Sequence, residues 1–408
     1  MVKQIVCEKA ELPGGVSDRA TVAYEDGKIV YVGEDILPSA DVIDGNGCYL
    51  LAGFVDLHCH GGAGFDFMDA SQEEIGKIAD FHMSHGTTTL VPTTMTDTGD
   101  HIKSALDGLG QYYAATENTP LKGAHIEGPW LSPEQCGAQS PEKMDTPSKA
   151  KLQSLISEYP FISRVSVAPE LENGMETGRA GYSAGLVMSA AHTSADFDKI
   201  IEAADNGYTL MTHLYSGMTG VTRKNAYRIA GAVEAGLYDD RLTVEIIADG
   251  RHLPAGLLRL IYKCKGADKI CLITDAMRAA GLGQGERSML GRNDDGLPVI
   301  VEDGVAKTLD RQGFAGSVAT TDRLVRTMAT LGIGIADISR MASATPAKTM
   351  GFTDRGTIET GKRADFVFMN DNLEVKKVIR GGEILGRSAQ TLYPKSIAST
   401  NSVTSALL

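Results

Sequence analysis

Long apolar segments are missing from this 408-residue chain. A helix that crosses a bilayer needs roughly 18 or more consecutive apolar residues, and no segment approaches that length. The opening segment, "MVKQIVCEKAELPGG", also lacks the apolar stretch of a signal peptide. We therefore expect a soluble, cytoplasmic protein that has no membrane partner.

Paired cysteines are missing as well. The six cysteines are scattered without a CxxC pair, which favours a reducing compartment and buried thiols over a disulfide framework. Positive charge is in deficit, because 39 Lys and Arg stand against 52 Asp and Glu and give a formal net charge of -13. This balance argues against nucleic acid as a partner. It leaves room for a small anionic substrate, since a local site can be positive on an acidic protein.

Short β-rich runs alternate with helix-like stretches from about residue 50 to residue 277. Such alternation is typical of parallel βαβ units. The eight runs are "LLAGFVDLHCH" (50–60), "TTTLVPTT" (87–94), "LKGAHIEGP" (121–129), "RVSVAPE" (164–170), "VMSAAHT" (187–193), "YTLMTHLY" (208–215), "LTVEIIADG" (242–250) and "KICLITDAM" (269–277). Eight runs predict an α/β fold with a closed (β/α)8 barrel of the TIM type, and an open doubly wound sheet is the alternative.

The flanking segments differ from this central part. Residues 1–49 and 350–390 are β-like and turn-rich, and we expect them to pair into one small β domain beside a barrel of residues 50–349. The polar, Ser/Thr-rich segment 391–408 is expected to lie on the surface or to be loosely ordered.

Two of the helix-like stretches carry boundary signals. The stretch "SQEEIGKIADFHMSHG" predicts a helix with an N-cap at Ser71 and an end at Gly86. The stretch "SADFDKIIEAADNG" predicts a helix with an N-cap at Ser194.

Polar side chains recur at the ends of five of the eight runs. Along a strand, residues two apart share a face, so two histidines of the first run project to the same side. The polar residues at the carboxyl ends are His58, His60, Glu127, His192, His213 and Asp275. Because active sites of such barrels are built at the carboxyl ends of the strands, we expect these side chains to meet at one mouth. Imidazole and carboxylate together suit Zn, Fe, Mn or Co.

The positions within this set suggest different roles. The histidines of the first run can share one ion because they alternate on a strand, and Glu127, His192 and His213 would be the other ligands. Asp275 is placed to take a proton from water at the ion and to deliver it to a leaving group.

Three neighbouring residues have less definite roles. Asp56 is expected to orient a ligand histidine, since ligating imidazoles commonly give their other N–H to a carboxylate. His125 shares a strand face with the glutamate of the third run, so it either touches the site or packs in the barrel interior. Trp130 either lines the pocket or has a packing role.

Motifs along most of the chain resemble those of the amidohydrolase superfamily, and within it the N-acetylglucosamine-6-phosphate deacetylases. The resemblance covers about residues 20 to 390. HxH alone is typical of the whole superfamily, whereas "HIEGPWLSPE", "THLY" and "LITDAM" are far more specific. The motifs that carry it are "GFVDLHCHG", "HGTTTLVPTT", "HIEGPWLSPEQCGAQSPE", "AHTSAD", "THLYSGMTG", "IIADGRHL", "LITDAM", "FAGSVAT", and "ATPAKTMG" followed by "GTIETGKRADFVF".

This resemblance implies a (β/α)8 barrel beside a small β-sandwich formed by the N- and C-terminal segments, assembled as a homodimer. It implies hydrolysis of the acetamide of N-acetylglucosamine 6-phosphate to glucosamine 6-phosphate and acetate. It also implies one or two divalent metal ions per subunit. Glu127, His192 and His213 match the principal metal ligands of the family, and His58 and His60 match the second-metal ligands that some members have.

The resemblance also implies roles for residues around the metal ligands. Asp275 matches the catalytic acid and base. His252 in "DGRHL" matches a histidine that contacts the substrate. Phe314 and Ala315 in "FAGS" match a loop that lies against the substrate.

This sequence departs from the family pattern at positions that meet the substrate. Gln139 in "GAQ" stands where the family usually has a histidine near the scissile amide, and glutamine donates a hydrogen bond but cannot carry charge. Ser216 and Gly217 stand in "HLYSGM" where the family has "HLYNAM" or "HLFNAM", at positions whose backbone usually meets the phosphate.

The next segment, "TRKNAYRIAG", is also unlike the family's usual "REPG" pattern. It offers Arg223, Lys224 and Arg228 as phosphate partners, with a solvated basic loop as the alternative. These departures leave the metal chemistry intact. They keep open another N-acetylhexosamine phosphate, such as N-acetylgalactosamine 6-phosphate, or a different N-acyl compound as the substrate.

Two competing functions follow from the same fold. A deaminase or cyclic amide hydrolase is disfavoured, because no predicted strand carries a lysine placed for a carbamate bridge. A catalytically inactive barrel that acts as a binding protein is disfavoured by the complete ligand set together with Asp275.

Overall fold

Eight parallel strands form one sheet in the computed structural model, which describes residues 1–38 and 40–385. The predicted tail 391–408 and the last residues assigned to the small domain, 386–390, lie outside the described residues. Strands adjacent in sequence are adjacent in the sheet. The strands are β1 (Phe54–Cys59), β2 (Thr87–Thr94), β3 (Ala124–Glu127), β4 (Ile162–Val167), β5 (Val187–Ala190), β6 (Tyr208–Met211), β7 (Thr243–Ile246) and β8 (Ile270–Leu272).

Bonds just beyond β8 join it to β1 and close the barrel. The N–H of Asp275 donates to the carbonyl of His58 over 2.9 Å, and the N–H of His60 donates to the carbonyl of Ala276 over 2.8 Å. An open doubly wound sheet reverses its strand order at a switch point, and this sheet does not. The predicted (β/α)8 barrel is therefore confirmed, and its closure brings Asp275 beside His58 on β1 and His60 just after it.

Eight helices follow the eight strands and cover the barrel. Buried residues three or four apart, such as Ile75 and Ile78 on the first helix, face the strands in one large core. The helices are α1 (Gln72–Ser84), α2 (Gly99–Ala115), α3 (Lys149–Glu158), α4 (Gly174–Ser183), α5 (Phe197–Asp205), α6 (Ala232–Tyr238), α7 (Ala255–Lys265) and α8 (Thr321–Thr330). None of the helices in residues 1–38 and 40–385 has both the length and the apolar character needed to cross a bilayer.

Short helical segments complete the connections. Two further helices, α9 (Ile335–Ser339) and α10 (Thr345–Thr349), are joined by a π-helical turn at Arg340–Ala344. Single 3-10 turns lie at Pro133–Gln135, Pro141–Lys143 and Ala267–Lys269.

One predicted helix cap is confirmed and the other is wrong. The Ser71 side chain accepts from the N–H of Glu74, whose carboxylate accepts from the N–H of Ser71, so a capping box starts α1. Helix α5 is instead capped by Asp196, which accepts from the N–H of Lys199. Ser194, the predicted cap, donates its N–H to Glu170 in the loop after β5.

Two more sheets pack on each other outside the barrel and form a β-sandwich. Buried residues from both, including Ile5, Val22, Leu50 and Phe366, make a second core. One sheet has the strand order Lys28–Gly33, Ala20–Glu25, Lys3–Cys7 and Asp41–Asp44. The other has the order Glu383–Ile384, Val375–Arg380, Phe366–Met369, Tyr49–Ala52, Lys9–Leu12 and Gly15–Ser17. The N- and C-terminal segments build this sandwich together, and the exact domain boundaries stay a prediction.

The first predicted run divides between the sandwich and the barrel. Tyr49–Ala52 pairs with Phe366–Met369, and β1 begins after Gly53. A Cβ at Gly53 would lie 2.1 Å from the hydroxyl of Thr88 on β2, so only glycine fits where the chain passes from one unit to the other.

Smaller antiparallel elements extend from the loops. A three-stranded sheet of Arg287–Leu290, Leu297–Glu302 and Val305–Thr308 lies between β8 and α8 and was not predicted. Two hairpins follow β1 and β6, formed by Gly61–Gly62 with Phe65–Asp66 and by Thr222–Lys224 with Tyr227–Ile229.

Candidate metal centre and active site

Glu127, at the carboxyl end of β3, lies at the centre of the predicted ligand set. One carboxylate oxygen, Oε1, lies 2.8 Å from Nε2 of His213 and 3.4 Å from Nε2 of His192. The other oxygen, Oε2, lies 3.2 Å from Nε2 of His60 and 3.4 Å from Nε2 of His58. The carboxylate therefore stands between two pairs of imidazoles, each pair on one oxygen.

Asp275 lies close to both His58 on β1 and His60 just after it. Its Oδ1 lies 3.2 Å from Nε2 of His60 and 3.5 Å from Nε2 of His58, and the two Nε2 atoms are 3.2 Å apart. The six predicted residues thus meet at the carboxyl end of the barrel, and each is less than a tenth exposed.

Sharp turns after the strands aim three of these side chains inward. His192, His213 and Asp275 have φ values of +42°, +26° and +48°, a region that side-chain-bearing residues rarely adopt. Such backbone strain persists only where the surrounding structure imposes it, and it concentrates at functional sites.

The charges at this centre stabilise one another. Burial raises the pKa of Glu127, but the surrounding imidazoles outweigh burial and hold it well below its usual range. Burial lowers the pKa of His58, yet Glu127 and Asp275 more than offset this and raise it to about 9. The carboxylates are therefore ionised at neutral pH, which is the form that binds a cation.

The donor set fits a divalent metal ion. Ligand atoms of His58, Glu127 and His213 lie within 4.8 Å of one another, as do those of His58, His60 and Asp275. Imidazole nitrogens and carboxylate oxygens are the ligands that Zn and other transition metals prefer.

A carboxylate that sequence reasoning missed lies behind His58. Glu245 on β7 has Oε2 3.5 Å from Nδ1 of His58 and pairs with Arg164 on β4, and both are fully buried. The sequence carried one signal for this pair. Glu245 in "TVEI" and Arg164 in "ISRVSV" are each the single charged residue of a strand that otherwise has apolar or small side chains.

Asp56, the residue predicted to orient a ligand imidazole, does something else. It accepts from the backbone N–H groups of His58 and Thr274 and from the Thr274 hydroxyl. It therefore fixes the backbone at the seam between β1 and β8. The imidazole of His58 faces Glu245 on β7 instead. This follows because the side chains that fill each interior layer of such a barrel come from several different strands.

His125 and Trp130 take the packing roles that were the alternatives. His125 is buried under His58, with ring centroids 4.7 Å apart, and its nitrogens face the hydroxyls of Thr93 and Ser166. Trp130 is buried in the barrel core and does not line the active-site cavity.

A cavity of about 510 Å³ opens above the ligand set. The predicted substrate residues Gln139, Ser216, Gly217, His252 and Phe314 all line it. One wall comes from the sheet and loop after β8, of which the sequence analysis had placed only the "FAGS" segment against the substrate. The wall residues are Leu290, Thr308, Asp310, Gln312, Gly313 and Gly316.

Three predicted substrate residues lie away from this lining. Ala315 is fully buried, and its N–H donates to the carbonyl of Ala306. Arg223 and Arg228 pair across the exposed hairpin after β6, where both side chains face solvent. The described residues that line the cavity include no Lys or Arg. Outside the ligand set, His252 is the basic side chain that lines the cavity, and its Nδ1 lies 2.9 Å from Oδ2 of Asp249.

Gln139 contacts the ligand set directly. Its amide nitrogen donates to Oε2 of Glu127 over 2.8 Å, and its amide oxygen accepts from the N–H of Thr96 over 2.9 Å. The second bond fixes which end of the amide faces Glu127, because an N–H must meet an oxygen. Gln139 therefore steadies the central carboxylate as well as lining the cavity.

Comparison with known proteins agrees with this geometry. The sequence model described as "Amidohydrolase family" matches residues 49–385. An N-acetylglucosamine-6-phosphate deacetylase from Lysinibacillus sphaericus is 33% identical over 376 residues, which cover 91% of this chain and 94% of that protein. An N-acetylgalactosamine-6-phosphate deacetylase from Escherichia coli O157:H7 is 33% identical over 339 residues, covering 82% of this chain and 87% of that protein.

A solved structure is similar over nearly the whole chain. It is a mutant N-acetyl-D-glucosamine-6-phosphate deacetylase from Mycobacterium smegmatis in complex with N-acetyl-D-glucosamine-6-phosphate. It is 30% identical and has a TM-score of 0.86, covering 94% of this chain and 99% of that chain. These findings confirm the resemblance stated from the motifs and make the chain a hydrolase of amide bonds. This chain belongs to the amidohydrolase family.

Proposed function

We propose that this protein removes the acetyl group from N-acetylglucosamine 6-phosphate, giving glucosamine 6-phosphate and acetate in amino-sugar breakdown. The observation that carries the proposal is the meeting of Glu127, four imidazoles and Asp275 at the base of a 510 Å³ cavity. A relative that is 33% identical to this chain over 376 residues is a deacetylase of that sugar phosphate.

We propose Glu127, His192 and His213 as ligands of one divalent ion, with His58 and His60 as ligands of a second. Zn, Fe, Mn and Co all suit these donors. An ion bound there would act as a Lewis acid on the acetamide carbonyl and would make water more acidic.

Asp275 is the proposed acid and base. Its Oδ1 lies 3.2 Å from Nε2 of His60. Burial raises the pKa of Asp275, but His58 and His60 outweigh burial and hold it below the usual range, so the carboxylate is ionised and able to accept a proton. It takes a proton from the attacking water as the C–O bond forms. It then gives that proton to the amine nitrogen as the C–N bond breaks, because an amide nitrogen is a poor leaving group until it is protonated.

The rest of the cavity holds the sugar in this proposal. His252 and Phe314 lie against each other, with ring centroids 4.9 Å apart, and form one side of the substrate space. The backbone at Ser216 and Gly217 forms another. Arg223 and Arg228 stay proposed phosphate partners, although the exposed hairpin after β6 that carries them lies outside the lining of this cavity.

A homodimer is part of the proposal. The hairpin after β6 presents Tyr227, 78% exposed, and its neighbour Val221, 58% exposed, beside these arginines. Exposed apolar side chains grouped on one projecting element are typical of protein contacts. Analytical ultracentrifugation of the protein and of a Tyr227→Ser variant would test it, and a monomeric parent protein would contradict it.

A second candidate substrate is the galacto epimer. Its support is the N-acetylgalactosamine-6-phosphate deacetylase that is 33% identical to this chain, together with the departures at Gln139 and at Ser216 and Gly217. Acetate release from both epimers, each at several concentrations, separates the two candidates. A kcat/KM at least about 10-fold higher for the gluco epimer, equivalent to about 1.4 kcal/mol, supports the first proposal.

A further inference from the structure

A fully buried ion pair crosses the barrel interior below the ligand set. Both terminal guanidinium nitrogens of Arg164, Nη1 and Nη2, on β4, donate to the carboxylate of Glu245, on β7, and neither side chain is exposed. Removing two charges from water costs several kcal/mol per ion, so an apolar pair of similar size is often as stable. Stability alone does not account for a charged pair at this position.

Glu245 contacts two of the ligand histidines. Its Oε2 lies 3.5 Å from Nδ1 of His58 and accepts the backbone N–H of His213 over 3.3 Å. A carboxylate at Nδ1 keeps the proton on that nitrogen and leaves Nε2 free to bind an ion. Nδ1 of His192 meets the backbone carbonyl of Gln135, and Nδ1 of His60 and of His213 has no hydrogen-bond partner. Among the described residues, His58 is therefore the one proposed ligand histidine whose Nδ1 faces a carboxylate.

Arg164 holds the backbone beside the same two histidines. It donates to the carbonyl of Leu57, which precedes His58, over 3.2 Å. It also donates to the hydroxyl of Thr212, which precedes His213, over 2.9 Å, and to that of Ser189 on β5. One side chain thus joins β1, β5, β7 and the residue that follows β6 at the layer directly under the centre.

We infer that Arg164 and Glu245 form a positioning pair for the metal centre: Glu245 sets the Nδ1–H form of His58 and aims its Nε2 at the ion shared with His60, and Arg164 holds Glu245 in place. The inference rests on the metal centre of the proposed function. It concerns the ion at His58 and His60, whereas the ion at His192 and His213 keeps its other ligands.

The first test is Glu245→Gln, which keeps the shape of the side chain and removes its charge. An amide can turn either end toward Nδ1, so the Nδ1–H form of His58 loses its preference. Loss of such an outer contact typically lowers metal affinity 10- to 100-fold. We expect the protein to lose one ion per chain in chelator competition followed by elemental analysis, and to keep the other.

A second variant keeps the test informative if a lone buried arginine prevents folding. Arg164→Met combined with Glu245→Met removes both charges and leaves no unpaired charge in the interior. It should fold and should show the same loss of one ion. Nitrogen-15 NMR of the histidine rings in the zinc-loaded protein should show Nδ1–H at His58 in the parent protein and a mixture of both forms in Glu245→Gln.

Phe366→Leu is the matched control. Phe366 is fully buried in the core of the sandwich, so its truncation lowers the melting temperature without touching the barrel interior. This variant should bind as many ions as the parent protein. A purely structural role for the ion pair would make Glu245→Gln behave like Phe366→Leu.

The inference is wrong if both charge variants bind both ions with the affinity of the parent protein, or if the parent protein binds a single ion. Failure of the proposed function looks different. In that case the parent protein binds its ions and the variants lose one, but no acetate is released from either sugar phosphate.

Discussion

Replacing Gly217 by alanine should weaken metal binding although Gly217 is not a ligand. A Cβ at this position would lie 2.6 Å from Nδ1 of His192 and 2.8 Å from the carbonyl oxygen of Gln135. These two atoms are joined by a hydrogen bond, which sets the orientation of the His192 ring. The methyl group therefore enters the space that the ligand histidine occupies. The family pattern has alanine at this position. In this chain, however, the added methyl group would clash with His192 and with Gln135.

The size of the effect follows from the distances. The Cβ would be about 0.8 Å short of ordinary van der Waals contact with Nδ1, whereas metal–nitrogen bonds tolerate a displacement of only about 0.2 Å. The φ of Gly217 is +56°, which costs an alanine a further 1 kcal/mol or so. We expect the affinity for the ion at Glu127, His192 and His213 to fall at least about 10-fold, equivalent to about 1.4 kcal/mol.

Competition with a fluorescent chelator measures this affinity directly. Gly351→Ala is the matched control, because Gly351 has a φ of +68° and no atom within 4 Å of its added Cβ. It should lose similar stability and keep full metal affinity. If Gly217→Ala binds metal as tightly as Gly351→Ala does, the packing argument for His192 is refuted.

Three further predictions concern the site and the folded state. Asp275→Asn should lower kcat at least about 100-fold while elemental analysis still finds the ion at His192 and His213, and near-normal turnover would contradict its proton-transfer role. Chelation of divalent ions should abolish acetate release and lower the melting temperature, since an ion bound only to the folded state stabilises it; an unchanged melting temperature would count against a bound ion. Burial raises the pKa of Glu11 from 4.5 to about 7, so its ionisation destabilises the fold as pH rises between these values. Glu11→Gln should match the parent protein near pH 4 and exceed its unfolding free energy at pH 8 by up to about 3 kcal/mol in urea titrations; equal stability at both pH values would refute this.

The sequence predicted those parts of the fold that depend on local pattern. Strand β2 has the predicted bounds, Thr87–Thr94, because the whole run is buried and six of its eight residues are β-branched. The run 208–215 ends as a strand at Met211, since the chain turns at His213 with a positive φ that apolar pattern does not reveal. Strand positions were therefore easier to predict than the turns that aim the ligands.

The meeting of these six side chains could be predicted because each lies at or just after the carboxyl end of a strand, and barrel topology brings strand ends together. Glu245 and Arg164 could not be, because they are 81 residues apart and meet only across the closed interior. The wall at Asp310 and Gln312 comes from an insertion after β8 that no barrel rule places. Ser194 was wrongly predicted as the cap because Asp196 caps the helix and the half-buried Glu170 accepts the N–H of Ser194.

Acetate release by the metal-loaded protein tests the central claim most directly. The substrates are N-acetylglucosamine 6-phosphate, its galacto epimer and unphosphorylated N-acetylglucosamine, with Asp275→Asn as the inactive control. The account predicts metal-dependent release from a sugar phosphate, with the gluco epimer preferred, and little from the unphosphorylated sugar. Absence of release from all three by protein that carries its metal ions would contradict the proposed deacetylase function.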